Sequence, residues 1–349
     1  MKTKPASPMI EVLTPIWQRV LHCSSIHVEA NFFDLGGDSL LALELFNEIG
    51  QACGRELPPV MIYQAPTLVA LAALLEEPTI PPFPPLVLLK AGTQDPPVFI
   101  THGLGGSVMD FFQVIRHVES NHPIHGMQAK GIDGMDEPFD SIEGMAQNYL
   151  DAIMQLQPHG PYLLIGYSLG GLVTLEMAYR LSEAGEKVAL LAMLDTYPHI
   201  NHLSLGQRTR LLARLVGRHA SVMTQLPVRR ALSYIFRPSE RRLHIPGDSS
   251  GSARYQSPNA LSPAMQRLRD SAYHALAHYR PRFYRGKVKF VRAEIVTDFP
   301  DNPSAVWGKL VDDLEVETIP GDHLGIMTTH FESLARILSR YVREAVCHQ

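Results

Sequence analysis

Cysteine, long apolar runs and any excess of positive charge are what this sequence has least of. Three cysteines, Cys23, Cys53 and Cys347, are spread over 349 residues. They are odd in number and far apart, which excludes a disulfide framework and a paired zinc spacing and makes a reducing cytoplasm the expected compartment. No uninterrupted apolar stretch approaches the roughly 20 residues that span a bilayer. The opening Met1-Lys2-Thr3-Lys4-Pro5 is not followed by the core of a signal peptide, so no membrane partner is expected. A net charge of -4 argues against nucleic acid as a partner. A glycine-rich phosphate loop, a dinucleotide fingerprint and internal repeats are all missing. Among sixteen histidines, His117, His122 and His125 do not share a helix face and His274 and His278 form only an i, i+4 pair, so no metal site is expected.

What the chain has is enough apolar material for a sizeable core, 45% against 19% charged residues, and enough length for one large domain and a small one. Its most informative stretch is Gly166-Tyr167-Ser168-Leu169-Gly170-Gly171. The apolar run Tyr162-Leu163-Leu164-Ile165 leads in and Leu172–Ala178 leads out, so the stretch reads as strand, sharp turn, helix. Glycines at 166 and 170 flank a serine on a turn too tight for larger side chains, the G-x-S-x-G nucleophile elbow. Such a turn lifts the Ser168 hydroxyl clear of the sheet and places the Leu169 N–H at a helix start, where a developing oxyanion can be held.

Upstream, Ile10, Leu13, Ile16, Trp17, Val20 and Leu21 have the spacing of one helix face over 8–21. In Phe32-Phe33-Asp34-Leu35-Gly36-Gly37-Asp38-Ser39-Leu40 the glycine pair makes a turn. Asp38 or Ser39 can then cap a helix with a broad apolar side through Ile49. Thr67 caps a last helix through Leu75. From physics alone, Asp38-Ser39 is a helix cap. The motif Phe32–Leu40, however, resembles the attachment site of the carrier domains of non-ribosomal peptide and polyketide synthetases, and the similarity runs over about 8–76. It implies that Ser39 carries 4′-phosphopantetheine, installed by a phosphopantetheinyl transferase, as a tether for an acyl thioester. A serine at an exposed helix N-terminus suits a phosphodiester.

Pro78, Pro81, Pro82, Pro84 and Pro85 make 78–85 a semi-rigid spacer of roughly 25 Å at about 3.1 Å per residue. From Leu86 on, strand candidates at 86–90, 97–101, 124–129, 161–166, 188–194, 287–293 and 314–319 alternate with helical stretches at 108–118, 141–156, 169–184 and 330–346. That alternation predicts a mostly parallel sheet covered on both faces. Asp195 ends the run Val188–Leu194 and His323 follows the last strand, so both are expected at the sheet edge that holds Ser168. The order Ser168, Asp195, His323 is that of α/β-hydrolases. Taken singly, Asp195 is a capping aspartate and His323 a loop histidine. Jointly they supply an orienting acid and a general base. His102-Gly103-Leu104-Gly105-Gly106 after strand 97–101 is both a tight turn and the place for a second oxyanion N–H, assigned to Leu104 or to the residue on either side of it.

Gln157–Tyr162 leading into Gly166–Gly171, then Ala192–Thr196 and Pro320–His323, resembles the type I thioesterase domains that end synthetase assembly lines, over about 86–346. The resemblance implies Asp195 as the acid, with Asp298 and Asp301 as runners-up. It also implies a helical lid at about 199–285, where Leu203–Arg218 and Pro263–Tyr279 look helical and 244–260 looks like a mobile polar loop. His102-Gly103 departs from the His-Pro frequent there. Nine arginines against Glu240 in 207–242 are either solvated helix faces or a docking surface for the acidic carrier or for the phosphate of its arm.

The expected architecture is a small all-α carrier bundle at 1–77, a proline linker at 78–85 and an α/β-hydrolase thioesterase domain at 86–349. Its expected function is release of a carrier-tethered acyl or peptidyl group through an acyl-Ser168 ester, by hydrolysis or macrocyclisation. Expected partners are upstream adenylation, condensation or ketosynthase modules, in trans or on a longer polypeptide. Alternatives are a free-standing esterase with a partner-binding bundle, a non-catalytic scaffold, and acyl–acyl carbon–carbon coupling. The esterase predicts no mass gain on Ser39 with coenzyme A and a transferase.

Overall fold

The computed structural model of the chain describes residues 7–55, 57–78, 83–211, 213, 263–296, 300 and 302–347. The N-terminal bundle consists of α1 (Pro8–Val20), α2 (Ser39–Cys53), a 3-10 turn (Pro59–Tyr63) and α3 (Leu68–Glu76). Each helix start has a sequence-encoded cap. Ser7 Oγ accepts from Met9 N, Asp38 Oδ1 accepts from Leu40 N and Leu41 N at 2.9 and 2.8 Å, and Thr67 Oγ1 accepts from Ala70 N at 3.2 Å. Of the two capping candidates before α2, Asp38 takes the role and Ser39 is the first helical residue. The bundle has its own apolar core around Leu13, Trp17, Phe32, Leu45, Ile49 and Leu68. There Trp17 and Phe32 meet edge to face at 5.4 Å.

The larger unit is a seven-stranded sheet in the order β1-β3-β2-β4-β5-β6-β7, with β1 (Leu86–Lys90), β2 (Val98–Thr101), β3 (Ile124–Met127), β4 (Tyr162–Tyr167), β5 (Val188–Leu194), β6 (Tyr284–Ala293) and β7 (Val311–Ile319). β1 pairs antiparallel with β3 and every other pairing is parallel. The central strands read as continuous apolar runs because both faces are covered. Alternate residues go to opposite sides. Phe99, Leu164, Leu191 and Phe290 meet α5 (Ile142–Leu156) and α6 (Leu169–Glu183). Ile100, Ile165, Ala192 and Val291 share the other side with residues of α4 (Phe112–His117) and of the long C-terminal helix. That last helix, α10 (Phe331–Cys347), buries Leu334, Leu338, Tyr341 and Val342, one stripe of a 3.6-residue period. Further helices among the described residues include α7 (Pro263–His278), α8 (Pro303–Trp307) and α9 (Gly325–Thr328).

The expected 108–118 helix is split: Ser107 caps a 3-10 turn at Val108–Phe111, and α4 follows. Both edge-side strands begin earlier than expected. Lys287 and Asp313, and Lys289 and Glu315, sit opposite each other in the β6–β7 register, and these ion pairs at 3.6 and 2.9 Å let charged residues continue the strands. Phe33 of the bundle lies against Tyr63 at 4.8 Å and against Phe112 of α4 at 5.1 Å, and Val60 joins the apolar cluster of the sheet's α4 side. Of the span expected as a lid, 199–211, 213 and 263–285 are described. Residues 214–262, with seven of the nine arginines and the expected polar loop, lie outside the described residues.

Because Trp17 is fully buried in a core of this size, Trp17→Ala is expected to cost about 3–5 kcal/mol, as much as such a core supplies. Limited proteolysis should then cut within 8–76 while the sheet unit persists; unchanged protection of the bundle would contradict this.

Candidate active site

Parallel strands bring their carboxyl ends to one edge, and four segments meet there. They are the loop after β2 with His102–Gly106, the turn after β4 with Ser168, the end of β5 with Asp195 and the loop after β7 with His323. β4 passes to α6 through one residue, Ser168, at φ 55 and ψ -118. A non-glycine residue holds that conformation only if its surroundings fix it. Here the Ser168 N–H donates to the Leu194 carbonyl at 2.9 Å, and the flanking glycines let backbones close in. A Cβ on Gly170 would strike the carbonyls of Thr101 and His102, and one on Gly166 would strike that of Gly170. Leu169 is the first residue of α6, so its N–H has no intrahelical partner and stays beside Ser168.

Asp195, at φ 45, presents its carboxylate to two donors. The Ala293 N–H donates to Oδ1 at 3.1 Å, and His323 Nδ1–H donates to Oδ2 at 2.8 Å. With Nδ1 protonated, Nε2 of a neutral His323 accepts from the Ser168 Oγ–H at 3.1 Å. The acid is buried, its side chain 6% exposed, and the imidazole is more open at 19%. A buried carboxylate with two charge-assisted donors fixes the tautomer that leaves Nε2 free to receive a proton.

Tyr167 bridges the elbow and the histidine loop. Its ring stacks on the His323 ring at 4.9 Å and 20°, and its hydroxyl donates to the His323 carbonyl at 2.8 Å. The residue preceding Ser168 therefore holds the imidazole that touches Ser168.

The loop after β2 runs between the elbow and α5. His102 is buried, one ring nitrogen 2.6 Å from the Gly103 carbonyl and the other 2.6 Å from the Tyr149 hydroxyl. Gln128 braces the loop further on: its Nε2 donates to the Gly106 carbonyl and its Oε1 accepts from the Val108 N–H, both at 3.0 Å. Leu104 and Leu169, the two residues expected to donate to an oxyanion, line one small apolar cavity with His102, Tyr149, Leu268 and Ala272. Burial lowers the His102 pKa from 6.5 to about 4, so its ring is neutral near pH 7.

Ser39 opens α2 next to its Asp38 cap and is half-buried, and among the described residues its hydroxyl has no hydrogen-bond partner. A free hydroxyl at the first position of a 15-residue helix fits a phosphodiester, whose charge would face the positive end of the helix dipole beside the Asp38 cap, which already takes the Leu40 and Leu41 N–H groups.

Ser168, Asp195, His323, Leu169 and Leu104 thus converge. Asp298 and Asp301, the runners-up for the acid, lie outside the described residues. His274 and His278 stack at 4.1 Å, and no group of three metal-ligating side chains forms among the described residues. No helix of the described residues is long and apolar enough to cross a membrane. Tyr149 and Gln128 were not singled out by sequence. Tyr149 falls on the buried stripe of an amphipathic helix and reads there as an ordinary core residue, and Gln128 follows β3 with no motif around it.

Neutral burial of His102 has a pH signature. The unfolded state takes up a proton as pH falls through 6.5, whereas the folded state refuses it until about 4. Stability should therefore fall across that window, and His102→Gln should lose less between pH 7 and pH 4.5, read as urea midpoints. Parallel losses in the two proteins would contradict the buried neutral state.

Comparison with known proteins identifies the families to which the two parts of the chain are similar. Residues 96–341 match the thioesterase domain family and residues 11–75 match the phosphopantetheine attachment site family. The chain is 32% identical over 307 residues to a dimodular nonribosomal peptide synthase of Bacillus subtilis (strain 168), covering 85% of this chain and 12% of that protein. It is 38% identical over 190 residues to an indigoidine synthase of Dickeya dadantii (strain 3937), covering 54% of this chain and 13% of that one. It therefore spans about an eighth of the length of these relatives. A solved four-domain nonribosomal peptide synthetase bound to AMP and glycine superposes over 97% of this chain and 26% of its own, with a TM-score of 0.58 and 25% identity. A solved thioesterase domain in covalent complex with a fluorophosphonate nocardicin G analogue shares the fold over 71% of this chain and 95% of its own, with a TM-score of 0.50 and 22% identity. A phosphopantetheine-binding carrier domain followed by a hydrolase sheet carrying these matches places the chain in the thioesterase domain family.

Proposed function

We propose that this chain releases acyl or peptidyl groups that reach it as thioesters on its own N-terminal domain. The observation that carries the reading is the unbroken hydrogen-bond line from Asp195 through His323 to Ser168, at 2.8 and 3.1 Å. His323 Nε2 takes the hydroxyl proton as Ser168 Oγ attacks the thioester carbonyl, and Asp195 stabilises the imidazolium that results. The Leu169 and Leu104 N–H groups hold the oxygen that becomes negative. Collapse expels the thiol, which recovers a proton from His323, and leaves an acyl-Ser168 ester. Water, or a nucleophile within the acyl chain, then attacks that ester with His323 again as base, giving a free acid or a ring.

Ser39 is the attachment residue in this reading. When bound, phosphopantetheine supplies a flexible thiol that carries the acyl group as a thioester. The chain's own contribution is to present the Ser39 hydroxyl at the start of α2, beside the Asp38 cap. The domains are read as a carrier at 1–77, a linker at 78–85 and the thioesterase at 86–349. A phosphopantetheinyl transferase and upstream synthetase modules are the proposed partners. The synthetase relatives and the attachment-site match support this.

Two variants test the assignment. Ser168→Ala should lower the release rate by about 10⁶ and leave acyl groups on the loaded protein, seen by mass spectrometry. Undiminished release would remove Ser168 from the mechanism. Ser39→Ala should abolish the mass gain on incubation with coenzyme A and a transferase while hydrolysis of a small soluble thioester continues. A mass gain in that variant would assign the attachment elsewhere.

A further inference from the structure

The two hydrogen bonds of buried His102 have a geometric consequence for the oxyanion site. The Gly103 carbonyl and the Leu104 N–H are the two ends of one peptide unit, and that peptide is trans, so they point in opposite directions. A group that grips the carbonyl therefore aims the N–H. Glycine at 103 widens the range of its ψ, which with the φ of Leu104 orients this peptide plane, so the hydrogen bonds hold the plane in place. The ring nitrogen facing the Gly103 carbonyl must carry the proton, since a carbonyl can only accept; it is Nδ1, at 2.6 Å. Nε2 of the neutral ring then has to accept, and the Tyr149 hydroxyl at 2.6 Å is its donor. The Gly106 N–H donates to the same carbonyl at 3.1 Å and closes the turn. His102 is 2% exposed and Tyr149 1%, so both groups are shielded from bulk water.

We propose that Tyr149 and His102 are positioning residues for the oxyanion donor: the relay Tyr149 O–H to His102 Nε2, His102 Nδ1–H to Gly103 C=O, sets the direction of the Leu104 N–H. Two further effects follow from the same bonds. Hydrogen bonds to a carbonyl polarise the N–H across the peptide, so the relay strengthens the donor as well as aiming it. It also joins the donor to α5, a rigid element, through a hydroxyl and not through packing alone. Leu104, Leu169, His102 and Tyr149 line the same cavity, so the residue whose N–H is aimed and the first residue of α6 border a common space. The proposal rests on the reading of Ser168 as nucleophile, and Ser168→Ala serves as its separate control.

The test uses the full chain and an acyl N-acetylcysteamine thioester, so that the carrier takes no part. Active sites are counted by fluorophosphonate titration, so that misfolded protein does not enter the rates. Tyr149→Phe keeps the ring and removes the donor. It should lower kcat roughly tenfold to a hundredfold, less than the 10²–10³ for deleting an oxyanion donor outright, with KM unchanged. The affinity for a trifluoromethyl ketone, which forms a tetrahedral adduct with Ser168, should fall by the same factor. His102→Gln, whose amide N–H can still reach the Gly103 carbonyl, should keep most of the activity that His102→Leu loses. Full kcat in Tyr149→Phe, or a kcat loss with unchanged ketone affinity, would overturn the relay while leaving the nucleophile in place. Activity surviving in Ser168→Ala would instead overturn the reading on which it rests.

Discussion

The site depends on how closely the first turn of α6 can press against the end of β2. Gly170 touches the carbonyls of Thr101 and His102 with no side chain between. That contact brings two chain segments almost seventy residues apart in sequence, the elbow at Ser168 and the loop at His102, to within reach of one small reacting group. With any larger residue at 170 the helix would have to retreat, and the start of α6 would move away from the loop after β2. The same logic repeats across β5, where Asp195 is held by the Val291 carbonyl at 2.7 Å and by the Ala293 N–H. Backbone approach comes first in this site, and side-chain chemistry is fitted into the space it leaves.

Much of this was legible in the sequence because it is written in residue types that have few other uses. The elbow needed its glycines, Asp195 ended an apolar run, His323 followed the last strand, and the capping pair Asp38-Ser39 preceded a broad apolar helix. Such signals are local and survive being read one segment at a time. The strands at 188–194 and the helix at 141–156 were likewise plain from their periods, and the structure places them at Val188–Leu194 and Ile142–Leu156.

What sequence did not reveal was pairwise. The start of β7 was hidden because Asp313 looks like a solvent residue until it is seen opposite Lys287. Tyr149 gave no sign because its hydroxyl acts on a histidine 47 positions away, while its ring behaves as any core aromatic. The 3-10 turn at Pro59–Tyr63 was passed over because five residues beside two prolines carry no helical period. Sequence patterns report the face a residue turns to the core; they do not report which other residue it finds there.

Tyr167 occupies the variable position of the elbow, and its ring and hydroxyl both belong to the His323 loop. A loop carrying a proton acceptor would ordinarily drift relative to a serine anchored in the sheet, and every drift would lengthen the path of the proton. Here the acceptor is fastened to the residue covalently joined to the serine. With the imidazole tied to the elbow in this way, a displacement of one is expected to draw the other along and to disturb their separation less than independent motion would.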